Sequence, residues 1–428
     1  MVATQTVDSR RALWLCVGLA AVVRLAYWAT KIGDDLLLND SWYYSGQARQ
    51  LTQGIWFREI LADQPGAEHG PLTSLLMWPL SYGTEYQTVQ RLVTVAAGIA
   101  LVWVLGRFTE QLAGATAGIA AALIAALYPN LWMNDGLVMS ESISTLLVAL
   151  SLWAAWTAAK LDDAAAFRRR VVLLGLLLGL AVLARSELAL FVPLVLVWLV
   201  FVRRRSSLPW RGAVLGLVTA VAVVSPWVGF NLSRFERPVL LTTNDGTTLL
   251  GANCPQVYSG PILGGWVVDC VTADPQYFLE EEPSVRSARQ RSIGGHYALD
   301  HVGSWPKVVA ARIARSVDLY GLDQLVAQDV GEERPRWASW AGIGAFWVLA
   351  VMSVFGALRL RRRDRSLLLV PVVVALVTTV LFYGAHRIRS SAEPSIVIFS
   401  AVALAGFWST WWTSRRSAGS LAPGEDAP

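Results

Sequence analysis

The residues able to do chemistry are few, and they stand in short polar stretches between long apolar runs. The first stretch reads Asn39-Asp40-Ser41-Trp42-Tyr43-Tyr44. A carboxylate followed closely by two phenols can accept a proton while the phenols orient its partner. Asp34 and Asp35, a few residues earlier, compete for the same role. The second stretch, Glu68-His69-Gly70-Pro71-Leu72, brings in an imidazole. Further on, Glu141 opens an apolar run after Ser140, with Asp135 as a nearby alternative; an acid preceded by an N-cap serine is also what any helix start favours. Arg185-Ser186-Glu187 interrupts a long apolar stretch, and its default reading is a local ion pair. Arg387 and Arg389 lie in 384–395 (GAHRIRSSAEPS), between the last two apolar runs. A guanidinium is a planar, permanently charged fork that matches phosphate oxygens; the plainer reading is contact with lipid headgroups. If this segment is extended, both arginines point to one side. The chain has 4 histidines and no paired metal spacing, which argues against a catalytic zinc. A divalent cation is left open, and no other cofactor is called for.

The elements that must carry these residues are read from composition. Of the 428 residues, 54% are hydrophobic and 16% charged, and the mean hydropathy is +0.46. Soluble domains carry about 25% charge, so the main solvent of this chain is lipid. The formal charge of +5 comes mostly from arginines clustered between apolar runs, as in cytoplasmic loops of membrane proteins. Nucleic acid is set aside as a partner. No cleavable leader is evident, and the first apolar run reads as a retained helix. The 20 tryptophans suit interfacial anchoring, with some left to line a groove for a lipid or a sugar.

A spanning helix needs about 20 mostly apolar residues. Such runs lie near 12–30, 87–106, 112–129, 140–159, 212–229, 338–358, 366–384 and 395–413. The stretch 171–202 suits two short spans turning at Arg185–Glu187, since arginines flank it on both sides. The segment 70–83 is apolar but short and holds Pro71 and Pro79. Read as a span it would put the later arginine clusters outside, so the positive-inside rule makes it a juxtamembrane helix. The expected fold is an all-α polytopic membrane protein with about ten spans and both termini in the cytoplasm. Juxtamembrane helices fill the first outer loop (31–85), and a small mixed segment (230–337) lies outside. The chain then divides into an N-terminal membrane module (1–229), the outer segment, C-terminal spans (338–413) and a polar, disordered tail (414–428). Most of the 31 acidic residues fall on the outer side, which suggests that this face does chemistry. In 230–337, Asn244-Asp245-Gly246 between β-branched runs signals a turn, whereas 284–320 is helical in pattern. Cys254 and Cys270 share the oxidising side, so a disulfide is expected; Cys16 lies in the first span without a reachable partner.

The stretches, taken in order, resemble the GT-C glycosyltransferases, and within them the protein O-mannosyltransferase and aminoarabinose-transferase group. Asp40 before Tyr43 and Tyr44, then Ala48 and Gly54, matches that family's acidic motif. Glu68-His69-Gly70-Pro71-Leu72 matches its His/Lys-Pro-Pro-Leu motif, with Gly70 replacing the first proline. Arg91, Tyr128-Pro129, Glu141, Arg185, Pro226-Trp227 with Asn231, and His386-Arg387-Ile388-Arg389 with Glu393-Pro394 follow in family order. The resemblance implies an inverting transfer of sugar from a polyprenyl phosphate to a hydroxyl of an envelope glycan, glycolipid or protein outside the cell. It makes Asp40 the general base and gives Glu141 a part in holding the acceptor or a metal. Tyr43, Tyr44, His69, Arg91, Arg185, Arg387 and Arg389 become substrate-binding. The competing reading is a transporter or flippase of lipid-linked saccharides, which should show inverted repeats and mid-membrane charges; no internal repeat is visible.

Overall fold

The computed structural model describes residues 3–37, 39–204, 209–274 and 281–419. Among the described residues every regular element is helical, and the β pairing is confined to the isolated bridges Arg58↔Pro65 and Asp135↔Leu137. Long helices stand where the ten apolar runs were read. They are Ala3–Ala29, Tyr86–Ala113, Ala115–Leu127, Glu141–Ala158, Ala164–Ala184, Phe191–Arg203, Pro209–Leu232, Arg336–Arg359, Val370–Leu381 and Glu393–Gly419. Eight of these regions are long and apolar enough to cross a membrane, and the protein is a multi-pass membrane protein. The remaining two fall short for physical reasons. Ala115–Leu127 has 13 residues, about 20 Å of helix at 1.5 Å per residue against a core of about 30 Å. Ala164–Ala184 spends its first turns on Arg168, Arg169 and Arg170.

Packing follows side-chain size. The helices Glu141–Ala158 and Glu393–Gly419 run through the interior, around Phe108, Leu152, Leu174, Phe191 and Phe346. Pro209–Leu232 and Arg336–Arg359 are peripheral and turn Val214, Leu217, Val218, Val348, Val351 and Leu358 outward, as lipid-facing helices do. Gly356 permits the closest approach. A Cβ there would stand 1.7 Å from the Phe399 carbonyl oxygen, so only glycine lets these two helices meet.

Two expectations change. Among its described residues the segment 230–337 is helical rather than mixed: Asn244-Asp245-Gly246 begins the helix Asn244–Ala252 rather than a strand turn. Residues that favour turns also favour helix starts, and here the Asp245 carboxylate in the first turn accepts from the Ser287 hydroxyl and from Arg291. Gly246 lies against the backbone of Ser287, where a Cβ would come within 2.2 Å of the carbonyl oxygen. The helices Pro283–Asp300 and Trp305–Ser316 agree with the reading of 284–320. Cys254 and Cys270 are joined, with Cα atoms 6.3 Å apart. The final helix runs to Gly419 rather than stopping at 413, and residues 420–428 of the expected tail lie outside the described residues.

In the first loop, 70–83 forms only the short helix Leu72–Met77 and the turn Trp78–Leu80. It is no span. The loops 31–85, 130–140 and 382–392 gather at one end of the bundle with the segment 230–337. The arginine-rich loops gather at the other, where Trp156 bonds Asp364 and Arg203 bonds the Leu161 carbonyl.

Candidate active site

The helix Asp40–Thr52 organises the site. Asn39 caps it by accepting a hydrogen bond from the Ser41 N–H at 2.8 Å, which sets Asp40 in the first turn. Helical spacing puts Asp40, Tyr43, Tyr44, Gln47, Ala48 and Leu51 on one stripe. From Tyr43 onward that stripe is buried. The Tyr43 hydroxyl accepts from the Gln47 amide and from the Glu68 N–H, each at 2.9 Å, and so pins the second polar stretch to the first. The His69 ring stacks on Tyr44 with centroids 4.8 Å apart and meets Tyr43 edge-on. Its Nε2 approaches Asp40 Oδ1 to 3.3 Å, an ion-pair contact. Gly70 passes so close to the end of the helix Ala164–Ala184 that a Cβ would sit 2.3 Å from the Leu183 carbonyl oxygen. The missing proline of the motif therefore reflects a tight crossing.

Arg387 joins the loops. Its guanidinium donates to Asp40, 347 residues away in sequence, to Glu141 at 2.5 Å and to Glu332 at 3.0 Å. Arg185 reaches the same Glu141 oxygen at 2.9 Å and also pairs with Glu187. Arg334 pairs with Glu332 and bonds Asn134. The cluster is nearly dry: the Glu141 side chain is 1% exposed and that of Arg387 14%, whereas Asp40 keeps 26%. Asp40 is thus the carboxylate with an open side. A small cavity of about 20 Å³ lies among Glu141, Arg334, His386 and Glu393.

Electrostatics follow from these contacts. Burial alone would raise the Asp40 carboxyl, but Arg387 and His69 hold it well below the usual range. Burial works against a charged His69, yet Asp40 outweighs it and raises the imidazole above its ordinary value. Burial, with Glu68 beside it, pushes Glu59 up to about 7. Among the described residues no group of three or more His, Cys, Asp or Glu is disposed to hold a metal ion.

The structure brings together Asp40, Tyr44, His69, Glu141, Arg185 and Arg387, with Tyr43 one layer behind. It does not bring Arg389 or Arg91 with them. The segment His386–Arg389 is a helical turn rather than an extended strand, so positions two apart point apart. Arg389 turns to Asp318 at 2.9 Å and Glu393 at 2.8 Å, under the Phe346 ring. This corrects the expectation that both arginines share a side. Arg91 is fully buried against Glu333 and the Gly136 carbonyl, and Asp135 pairs with Arg24 at 2.7 Å. Asp34 and Asp35 are exposed. Sequence reasoning missed Glu332 and Arg334, which close the cluster, and the anchor in which His386 bridges Asp318 and Asp329 at 3.0 and 3.1 Å. The one available signal was the run Glu332-Glu333-Arg334 directly before a span.

The helical bundle is similar to those of solved membrane proteins. AglB, the oligosaccharyltransferase of Archaeoglobus fulgidus solved with an inhibitory peptide and a dolichol-phosphate, superposes with a TM-score of 0.62 at 15% identity, covering 99% of this chain and 53% of that one. An oligosaccharyltransferase of Archaeoglobus fulgidus in complex with Zn and sulfate gives 0.59 at 14% identity, covering 94% and 49%. This chain has the GT-C fold. It spans about half the length of that oligosaccharyltransferase. ArnT from Cupriavidus metallidurans, bound to undecaprenyl phosphate, is a weaker likeness: TM-score 0.42 at 17% identity, covering 91% of this chain and 76% of that one. Residues 68–230 match the family model of dolichyl-phosphate-mannose-protein mannosyltransferases. No curated protein matches the chain significantly. The resemblance read from the motifs thus stands at the level of the GT-C fold.

Proposed function

We propose that this GT-C protein is an inverting membrane glycosyltransferase that moves a sugar from a polyprenyl phosphate to an acceptor hydroxyl outside the cytoplasm. The observation that carries the reading is the contact of Asp40 with Arg387 at the open rim of a dry charge cluster. Support for a lipid-phosphate donor comes from the dolichol-phosphate in the AglB structure. Support for the orientation comes from the arginine-rich loops sharing the far end of the bundle, which the positive-inside rule assigns to the cytoplasm. Donor access to cytosolic nucleotide sugars is then closed.

The chemistry divides between the two partners. A departing polyprenyl phosphate gains negative charge, and Arg387 with Arg185 behind it can stabilise that charge in a dry site. Asp40 faces the acceptor hydroxyl on the side opposite the leaving group and takes its proton. Tied to Arg387 and His69, Asp40 is a weak base. A donor phosphate competes for Arg387, and each contact it draws away lets the Asp40 pKa rise toward its ordinary value. Donor binding thereby prepares the base. Phosphate leaves as an anion, so a strong general acid is not required.

The test is incubation of purified protein with a panel of polyprenyl-phosphate sugars and mass analysis of candidate acceptors. Transfer by wild type and its loss in Asp40→Asn support the reading. Folded wild-type protein that consumes no donor counts against it. Movement of a lipid-linked saccharide across proteoliposomes with no bond made would favour the transporter reading instead.

A further inference from the structure

The arginine-rich end of the bundle holds a cation that the protein itself leaves without a partner. Arg363 stands in the helix Arg362–Leu368, which leads into the span Val370–Leu381. Its Nε and Nη2 are shut off from solvent, and neither meets a hydrogen-bond acceptor. Among the described residues no carboxylate forms an ion pair with it. These two nitrogens make up one edge of the guanidinium, the edge that meets two oxygens of a single anion side by side. Enclosed donors left unmet are costly, and more so on a charged group, so each one calls for an explanation. The residue as a whole is half-buried, which puts this edge just beneath the surface.

The surroundings add charge of the same sign. Arg203, in the last turn of Phe191–Arg203, is close enough for its charge to act on Arg363. Arg363 and Arg361 act in the same way on Lys160, in the connection after Glu141–Ala158. Four cations thus gather where three parts of the chain meet. Two of them are fixed by other contacts. Arg203 donates to the Ala158 and Leu161 carbonyls and covers the Phe167 ring at 4.4 Å, and the Lys160 ammonium lies over the Trp156 ring at 3.2 Å. The acidic residues nearby offset this only in part. Asp364 accepts from the Trp156 indole at 2.9 Å, Asp163 caps the helix Ala164–Ala184 by accepting from the Ala166 N–H at 2.7 Å, and Asp162 is exposed.

An anion with two oxygens on one centre fits the free edge, and a phosphate group has that shape. Apolar side chains beside the cluster indicate what carries the phosphate. Phe201 and Trp210, on either side of Arg203 in sequence, and Leu369 and Val373, which follow Arg363, are all exposed. They offer acyl chains a surface next to the cations. Basic pockets between spans hold the headgroups of anionic lipids in this way. We infer that Arg363, with Arg203 and Lys160 beside it, binds the phosphate of an anionic phospholipid at the end of the molecule away from Asp40. The inference goes beyond the proposed transfer and does not depend on it.

The test uses the full-length protein, delipidated in detergent, with unfolding followed by Cys16 labelling. Phosphatidylglycerol, phosphatidylcholine or inorganic phosphate is titrated in. Phosphatidylglycerol should raise the midpoint and saturate, and phosphatidylcholine should not. Arg363→Gln should need about tenfold more phosphatidylglycerol for the same rise, from the loss of a two-pronged charged contact. Arg169→Gln removes an exposed arginine at the same end and should keep the wild-type titration. Without lipid, Arg363→Gln should unfold no earlier than wild type, because the side chain has no protein partner to lose. An earlier midpoint there would mean that Arg363 is paired within the protein, and it overturns the site. So does a flat response to phosphatidylglycerol, an equal response to phosphatidylcholine, or an equal weakening in Arg169→Gln. A response to inorganic phosphate alone overturns the lipid and makes a soluble phosphate compound the ligand.

Discussion

Removing Arg387 is the sharpest perturbation of the charge cluster. Arg387→Ala leaves Asp40, Glu141 and Glu332 converging on an empty space. Breaking a buried pair by deleting one partner costs about 3–5 kcal/mol, because the remaining charge stays buried without compensation. Here each carboxylate keeps one other partner: Glu141 keeps Arg185, Glu332 keeps Arg334, and Asp40 keeps His69 and an open side. The loss should therefore sit at the lower end, about 3 kcal/mol. Glu141→Gln placed on top should recover part of it, since Glu141 is the most deeply buried of the three. Arg387→Lys keeps the charge but not the three-way fork, so it should fall between. Cys16 offers a clean readout. It is a buried free thiol in the core and the other two cysteines are bridged, so its labelling during denaturant titration reports unfolding. Donor binding and turnover should fall together in Arg387→Ala. If the variant unfolds at the wild-type midpoint and keeps the wild-type donor KM, the cluster is neither a stabilising centre nor a phosphate site.

Three further outcomes are expected. Asp40→Asn should keep the fold and lower turnover by about 10²–10⁴-fold in single-turnover assays; wild-type turnover would move the base elsewhere. The Asp40–His69 pair should give a bounded pH window of stability. The raised His69 contributes fully below its ordinary pKa and loses its contribution as pH rises through its folded value, whereas the lowered Asp40 contributes above its ordinary pKa and loses it as pH falls through its folded value. His69→Gln should flatten the alkaline side of a midpoint-against-pH curve, and an unchanged curve would disprove the pairing. Gly356→Ala should separate two packed helices and cost about 1–3 kcal/mol by the same Cys16 titration; no change would show that the crossing is loose.

The sequence discloses what lies at boundaries between apolar and polar chain. Asp40, Glu141, Arg185 and Arg387 stand in short polar stretches between apolar runs, where a charge is conspicuous, and their gathering followed from counting crossings. Glu332 was invisible for the opposite reason. It belongs to a charged run that reads as solvated, and only the fold shows that its partner Arg334 is buried with it. Local ambiguity explains the other misses. Asn-Asp-Gly serves a hairpin and a helix start equally, and only packing against Ser287 decides. An alternation of arginine and isoleucine has no fixed meaning until the backbone is known, and one helical turn sent Arg387 and Arg389 to separate duties.

The anchor beneath the last span bears on how the chain is made. That span opens with His386, Arg387, Arg389 and Glu393, and its hydropathy is 1.4 against 2.0 for the span Ser186–Arg203. Charges at the head of a helix are costly to hand to lipid alone. Their partners Asp318, Asp329 and Glu332 are all synthesised earlier. The helix therefore enters a bilayer in which its counter-charges already stand at the receiving end. Excising the segment 230–337 would remove more than a domain: it would take away the landing site of the final helix, and with it the arginine that meets Asp40.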